Sequence, residues 1–235
     1  MKLQAIVFDF DGTLAELTID FPMLKRKVAA LAEAFTGERP EVPEKPALEW
    51  LDDLAAEVEE FEGRDLALEF HCRGRLVIQA TELDAARLGR LFPFTLDLLA
   101  DLRGRGLGVG VITRNSTAAV KTVFPAIERH CDVFLAREDV SGVKPNPVHL
   151  HTALTRLGAV PEHSLMVGDH TLDIDTGKAA GALTAGVSSG NLDLQTLQAA
   201  GADFVAENCL RLVELLTKQG YLAVPPDHGS PVRSG

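Results

Sequence analysis

Two carboxylates, Asp9 and Asp11, close the apolar run AIVFDFDGTL, with Gly12 and Thr13 directly behind them. Gly12 marks a turn directly behind them, which lets both side chains converge on one crevice. Two carboxylates held that close repel, and one of them would take up a proton. A hard divalent cation removes the conflict, because Mg²⁺ prefers oxygen ligands and needs only one or two carboxylates from a protein. A solvated acidic turn has the same composition, so the pair has to be weighed with other residues.

Three further stretches offer such residues. Thr113 ends an apolar run and is followed by Arg114, Asn115 and Ser116 before a helical segment. N–H groups at a helix start beside a hydroxyl can cradle a phosphate, although the same residues make an ordinary cap. Lys144 lies in SGVKPNP, where Pro145 keeps the chain out of a helix and holds the lysine on a loop. VGDHTLDID repeats the opening device, an apolar run ending in Asp169 with Asp173 four residues later. Asp173 and Asp175 also suit a first helical turn, where they complement the dipole.

The elements that must position these residues follow from the pattern around them. Residues 3–8, 107–113, 131–136, 164–169, 183–188 and 202–207 are short and apolar and read as strands. Between the later ones, 116–129, 147–158 and 193–200 have helical periodicity. Strands alternating with helices imply an α/β fold, a doubly wound, mostly parallel Rossmann-like sheet, in which ligands bind at the carboxyl ends of the strands. The chemically capable residues all fall at such ends.

Residues 16–91 contain no strand run. Residues 23–35 read as a helix capped by Asp20 with Pro22 in its first turn, and 47–61 and 66–91 read as helices interrupted or bent near Gly63 and Gly74. The expected division is a core domain of residues 1–15 and 92–222, an inserted all-helical cap domain of residues 16–91, and a loose tail of residues 223–235. Leu24, Val28, Leu31, Trp50, Leu54, Val58, Leu76 and Leu83 are the expected apolar contacts of the cap. An insertion leaving the core just after Asp11 and returning near Pro93 is placed to act as a lid. HCRGR, at 71–75, is its densest cationic cluster and a pointer to substrate choice.

In this order the four stretches resemble the motifs of the haloacid dehalogenase superfamily of phosphohydrolases: DFDGTL the first, Thr113 the second, Lys144 in KPNP the third and GDHTLDI the fourth. The resemblance covers roughly residues 3–14 and 93–220, and the inserted helices resemble the helical cap of the phosphoglycolate phosphatase and β-phosphoglucomutase branch. It implies that Asp9 is the nucleophile that forms an aspartyl-phosphate and that Asp11 is the general acid and base. It implies Mg²⁺ held by the Asp9 carboxylate, the Asp11 main-chain carbonyl and Asp169, with Asp173 behind them orienting water or Asp169. Thr113 and the Arg114 N–H would hold phosphoryl oxygens, and Lys144 would neutralise the phosphate and Asp9. Two positions depart from the pattern. His170 stands where many relatives carry a small hydroxyl residue, and Arg114 is bulkier and more charged than usual.

Composition narrows the alternatives. The 235 residues carry a net charge of −11 and no basic stripe, which argues against nucleic acid as a partner. No apolar run approaches the roughly 20 residues of a membrane helix, and Asp9 and Asp11 break the first apolar stretch before it reads as a signal peptide. Cys72, Cys131 and Cys209 are far apart and form no CxxC pair, so three buried thiols in a reducing cytoplasm are expected. The leading expectation is a Mg²⁺-dependent phosphatase of a small phosphorylated metabolite, phosphoglycolate-like or a sugar phosphate. A phosphomutase of the β-phosphoglucomutase type is the alternative within the same chemistry. Dehalogenase chemistry has no use for an acid at Asp11. A signalling phospho-aspartate module would have an adjacent acidic pair and a phospho-acceptor on a later strand, and a catalytically silent binding protein would not need the full set of chemical residues.

Overall fold

The computed structural model describes residues 2–224, so most of the expected tail, residues 225–235, lies outside the described residues. The chain folds into two compact units, residues 2–16 with 90–224 and residues 17–89.

In the first unit, β1 (Ala5–Phe8) is buried along its whole length, as expected of a central parallel strand covered on both faces. It is followed by the two-residue strand β2 (Ala15–Glu16). The helical unit then comprises α1 (Phe21–Thr36), α2 (Ala47–Glu62) and α3 (Arg64–Ala86). The chain re-enters through β3 (Arg90–Leu91), and α4 (Thr95–Gly104), β4 (Gly108–Ile112), α5 (Thr117–Val123), α6 (Ile127–His130) and β5 (Val133–Leu135) follow. The remainder is α7 (Val148–Leu157), β6 (Ser164–Gly168), α8 (Thr171–Ala180), β7 (Leu183–Val187), α9 (Leu194–Ala199), β8 (Phe204–Ala206) and α10 (Cys209–Lys218).

The main sheet is parallel, in the order β5-β4-β1-β6-β7-β8. The chain winds outward from β1 to β4 and β5, then crosses β1 and winds the other way through β6, β7 and β8. That reversal leaves a crevice at the carboxyl ends of β1 and β6, the place where open α/β sheets bind ligands. Register aligns the strand ends: Phe8 lies opposite Val111 on one side and Val167 on the other. Asp9, Thr113 and Asp169 therefore leave the sheet within one residue of the same level. Below them, Ala5, Val7, Ile112, Leu135 and Met166 pack with Leu150, Ala153 and Leu154 of α7 in a buried layer.

Several helix boundaries differ from the sequence expectation. The segment expected as one helix at 116–129 divides into α5 and α6, because Pro125 has no N–H and forces Phe124 out of helical geometry (φ −131°, ψ 75°). The helices α4 and α10 fall in segments to which the sequence reading assigned no helix. β2 and β3 pair antiparallel through Ala15–Leu91 and Glu16–Arg90, so two short strands exist at the edges of the stretch read as strand-free.

The helical unit has its own core of Leu24, Val28, Trp50, Leu51, Leu54, Val58, Phe70 and Ile78, with Leu31 packed against it. Leu76, expected in that core, is instead 63% exposed, because it falls on the opposite face of α3 from Phe70, Gly74 and Ile78. Gly74 does not interrupt α3: it is where the Leu51 side chain of α2 packs against the helix, leaving no room for a Cβ. Gly63, at φ +90°, does separate α2 from α3. The cationic cluster is partly engaged within the unit, His71 Nε2 with Asp52 at 2.9 Å and Arg73 with Glu69. Cys131 and Cys209 are buried, but Cys72 is exposed on the outer face of α3, which corrects the expectation of three buried thiols.

Candidate active site

The site is assembled from strand ends and the loops behind them, all within the sheet-bearing unit. Asp9 leaves β1 with its N–H donated to Val167 O at 2.8 Å. The chain then turns: Phe10 O accepts the N–H groups of Leu14 and Ala15 at 2.9 and 3.0 Å. Gly12 sits at φ +75°, and a Cβ there would run into the Asp169 carboxylate. A left-handed turn and close approach to Asp169 are thus the two reasons for glycine directly after Asp11.

Lys144 is the centre of the arrangement. Its Nζ lies 2.5 Å from Asp9 Oδ1 and 2.5 Å from Asp173 Oδ1, and the residue is only 2% exposed. An isolated lysine on a loop ordinarily remains in water, whereas this one is enclosed by two carboxylates. Burial pulls its pKa down, but Asp173 and Asp9 outweigh that and hold it above the ordinary lysine value. Asp173 uses its other oxygen, Oδ2, to accept the His170 N–H at 3.1 Å. His170 caps α8, its Nδ1 accepting the Leu172 N–H at 3.2 Å, so its departure from the motif has a structural role.

Asp9, Asp169 and Asp173 bring carboxylate oxygens within 4.8 Å of one another, and all three residues are buried. Burial, opposed in part by Lys144, pushes Asp9 up to about 6. Burial and then the Asp9 and Asp173 charges push Asp169 up to about 8. When all three are ionised, three carboxylates against one ammonium leave two negative charges, the charge that a divalent cation balances, and an all-oxygen donor set is what Mg²⁺ prefers. The residues present therefore fit the ion.

Thr113 is buried at the end of β4, donating its N–H to Leu135 O at 3.0 Å, while its Oγ1 accepts the Asn115 N–H at 3.1 Å. A hydroxyl that accepts one bond still has its proton to donate. Ser116 Oγ accepts the Ala119 N–H at 3.3 Å and caps α5. Thr13 Oγ1 and Asn115 Nδ2 are buried atoms with no hydrogen-bond partner among the described residues. Asp11 is half-buried on the turn and is not one of the three clustered carboxylates. The Arg114 guanidinium turns to the main-chain carbonyl of Lys144.

One part of the site was not singled out in the sequence, the loop after β7. Asn191 donates its N–H to Asp169 Oδ2 at 3.2 Å, and Ser189 Oγ donates to Gly12 O at 2.7 Å. Gly190 lies so close to Asp169 that a Cβ there would overlap the carboxylate. The available signal was SSGN, a run of small polar residues at another strand's carboxyl end. In Gly190→Ala the obstructing group is the mobile end of a side chain, so the carboxylate should move and the fold survive. We expect Mg²⁺ affinity, measured by isothermal calorimetry, to fall by about 10–100-fold, the range found when partners that orient metal ligands are lost. Unchanged affinity would mean that Asp169 does not bear on the ion.

Comparison with known proteins agrees with the fold and the family resemblance. Residues 3–181 match the family model of the haloacid dehalogenase-like hydrolases. A phosphoglycolate phosphatase of Salmonella typhimurium is 28% identical over 208 residues, covering 80% of this chain and 82% of that protein. Among solved structures, a haloacid dehalogenase-like hydrolase from Bacteroides fragilis superposes with a TM-score of 0.64 at 25% identity, covering 90% of this chain and 100% of that one. A family hydrolase from Deinococcus radiodurans, crystallised with phosphate and sodium, superposes with a TM-score of 0.61 at 19% identity, covering 95% and 99%. With its motif residues gathered at the switch point of the sheet and the family model spanning both ends of that sheet's central strands, the chain belongs to the haloacid dehalogenase-like hydrolases and is an enzyme of phosphatase type.

Proposed function

We propose that this enzyme is a Mg²⁺-dependent phosphatase that hydrolyses small phosphate monoesters through an aspartyl-phosphate on Asp9. The observation that carries the reading is Lys144, buried between Asp9 and Asp173 with Asp169 alongside. A cation, a lysine and N–H groups around one carboxylate suit phosphoryl transfer, where catalysis is mostly positioning and charge stabilisation.

Asp9 attacks phosphorus while Asp11 gives its proton to the leaving alkoxide. Asp11, now ionised, takes a proton from the water that hydrolyses the acyl phosphate, restoring both residues. An Asp9 pKa of about 6 leaves the nucleophile ionised at neutral pH. Thr113 and the Arg114 N–H hold phosphoryl oxygens, and Lys144 balances charge on the phosphate and on Asp9. The orphaned Asn115 Nδ2 is a further donor; an unpaired buried donor costs about 1–3 kcal/mol, which an anionic ligand would relieve. The Asp9 carboxylate, the Asp11 main-chain carbonyl and Asp169 would hold Mg²⁺, which supplies positive charge against the phosphoryl oxygens, while Asp173 orients Lys144. The chain leaves the core for the helical unit through β2, after the Asp11 turn, and returns through β3, which pairs with β2. The phosphoglycolate phosphatase relative supports a small anionic metabolite as substrate.

The test is release of phosphate from p-nitrophenyl phosphate with Mg²⁺ and with EDTA. Mg²⁺-dependent release is expected, and no release at any Mg²⁺ concentration or pH overturns the reading. Protons and Mg²⁺ should compete. The raised values of Asp9 and Asp169, about 6 and about 8, mean that the metal-free folded state keeps protons that the unfolded chain has lost above the ordinary 3.8. Metal-free stability should therefore fall as pH rises from about 4 to about 8, and the rise in Tm on adding Mg²⁺ should be larger at pH 8 than at pH 5.5. A Mg²⁺-induced Tm shift independent of pH would separate these carboxylates from the ion.

A further inference from the structure

Arg114 follows Thr113 directly, and from sequence its side chain fits a contact to an anionic substrate and a solvated position equally well. In the structure Nη1 donates instead to the main-chain carbonyl of Lys144, 30 residues further along the chain. That carbonyl belongs to no strand ladder, and Pro145 after it contributes no N–H to the loop. Such a group needs a donor from elsewhere, and a guanidinium gives a charge-assisted one.

Arg114 is itself fixed. Its main-chain carbonyl accepts from Nη1 of Arg137 at 3.0 Å, and the Arg137 N–H donates to Asn115 O at 3.2 Å. Arg137 is only 4% exposed. Glu138, next in sequence, accepts the Thr117 N–H at 3.1 Å through Oε2. The turn after β5 thus anchors the loop after β4, and Arg114 carries that anchorage on to the loop bearing Lys144.

We propose that the Arg114 side chain is a positioning group that acts through Lys144 and not on the substrate. A lysine stem has four rotatable carbons, and its ammonium can stay 2.5 Å from both Asp9 and Asp173 only if the backbone from which it springs is fixed. Arg114, braced by Arg137, fixes it. The inference rests on the catalytic reading of Lys144 given above and adds a role for a side chain that the motif leaves without one.

The test is a double-mutant cycle in the full-length protein, with Arg114→Met, Lys144→Ala and the pair. Each is assayed on p-nitrophenyl phosphate, which has no second anionic group, and on phosphoglycolate, which has one. Arg114→Met should lower kcat/KM by about 10–100-fold, by the same factor on both substrates. In the Lys144→Ala background it should cost less than about twofold, because residues acting as one unit are non-additive. Arg114→Lys, which keeps a donor and the charge, should recover part of the loss, and it carries the same cycle if the Met variant does not fold. A loss confined to phosphoglycolate, or the same loss with and without Lys144, overturns the proposal. If Lys144→Ala leaves the rate unchanged, the catalytic reading fails and the brace with it. An impaired Lys144→Ala with additive Arg114→Met removes the brace alone.

Discussion

Asp9→Asn is expected to abolish phosphate release, by on the order of 10³-fold or more, while leaving the fold intact. Asn is nearly isosteric, but its amide is a poor nucleophile and cannot form the acyl phosphate. The structure adds a second expectation. Burial and the neighbouring Asp173 charge hold Asp9 at about 6, above its ordinary 3.8, so its negative charge opposes folding in the metal-free protein at neutral pH. Replacing it with a neutral group should leave the metal-free Tm unchanged or raised at pH 8, and it should shrink the Tm gain from Mg²⁺. Steady-state phosphate release and a melting curve with and without Mg²⁺ measure both. Turnover within a few-fold of the parent, once deamidation to Asp has been excluded by mass spectrometry, would remove Asp9 from the nucleophilic role.

Asp11→Asn should separate the two halves of the reaction. A positioned general acid contributes about 10²–10⁴-fold. An alkyl phosphate, whose alkoxide needs that proton, should lose activity by that factor in the first step. p-Nitrophenolate leaves without help, so the first step on the aryl ester should survive. Hydrolysis of the phosphoenzyme still lacks its base, and p-nitrophenol should appear as a burst of about one equivalent per enzyme before a slow phase. Rapid-quench measurement of both substrates decides it: equal first-step losses on alkyl and aryl phosphate would be fatal to the acid role. Asp11 suits the task by position, half-buried on the turn after β1 and outside the cluster of Asp9, Asp169 and Asp173.

What the sequence by itself determined is what local chain chemistry controls. The run AIVF, short, apolar and β-branched at its centre, forms a buried strand, and Asp9, Asp11 and Gly12 directly behind it sit at that strand's end. The same holds for Thr113 after β4 and Asp169 after β6, and for the α/β alternation that orients all three alike. Helix caps such as Asp20 for α1 are equally local, since the donor and acceptor lie three residues apart. Where an apolar face had to be assigned across a long helix, local reading was weaker: Leu76 faces outward, and Gly74 marks close packing against Leu51 within an uninterrupted helix.

Tertiary structure alone decided the rest, because those interactions join residues far apart in the chain and leave no periodic trace. Apart from the KPNP motif, local chain chemistry does not distinguish Lys144 from a solvated lysine, and the fold encloses its ammonium between carboxylates 135 residues before it and 29 after it. Asp173 could be read as a helix-dipole residue or a partner of Asp169, and the fold makes it an acceptor for Lys144 and for the His170 N–H. Arg114 reads as a free cation beside a phosphate loop until the β4 and β5 ends bring it to the Lys144 carbonyl. The Ser189–Asn191 loop reaches Asp169 only because β7 pairs with β6 in the register that sets Gly186 opposite Gly168. Sequence supplies the reactive groups at the strand ends; strand register and long-range hydrogen bonds set the distances between them, and those distances govern charge balance and pKa.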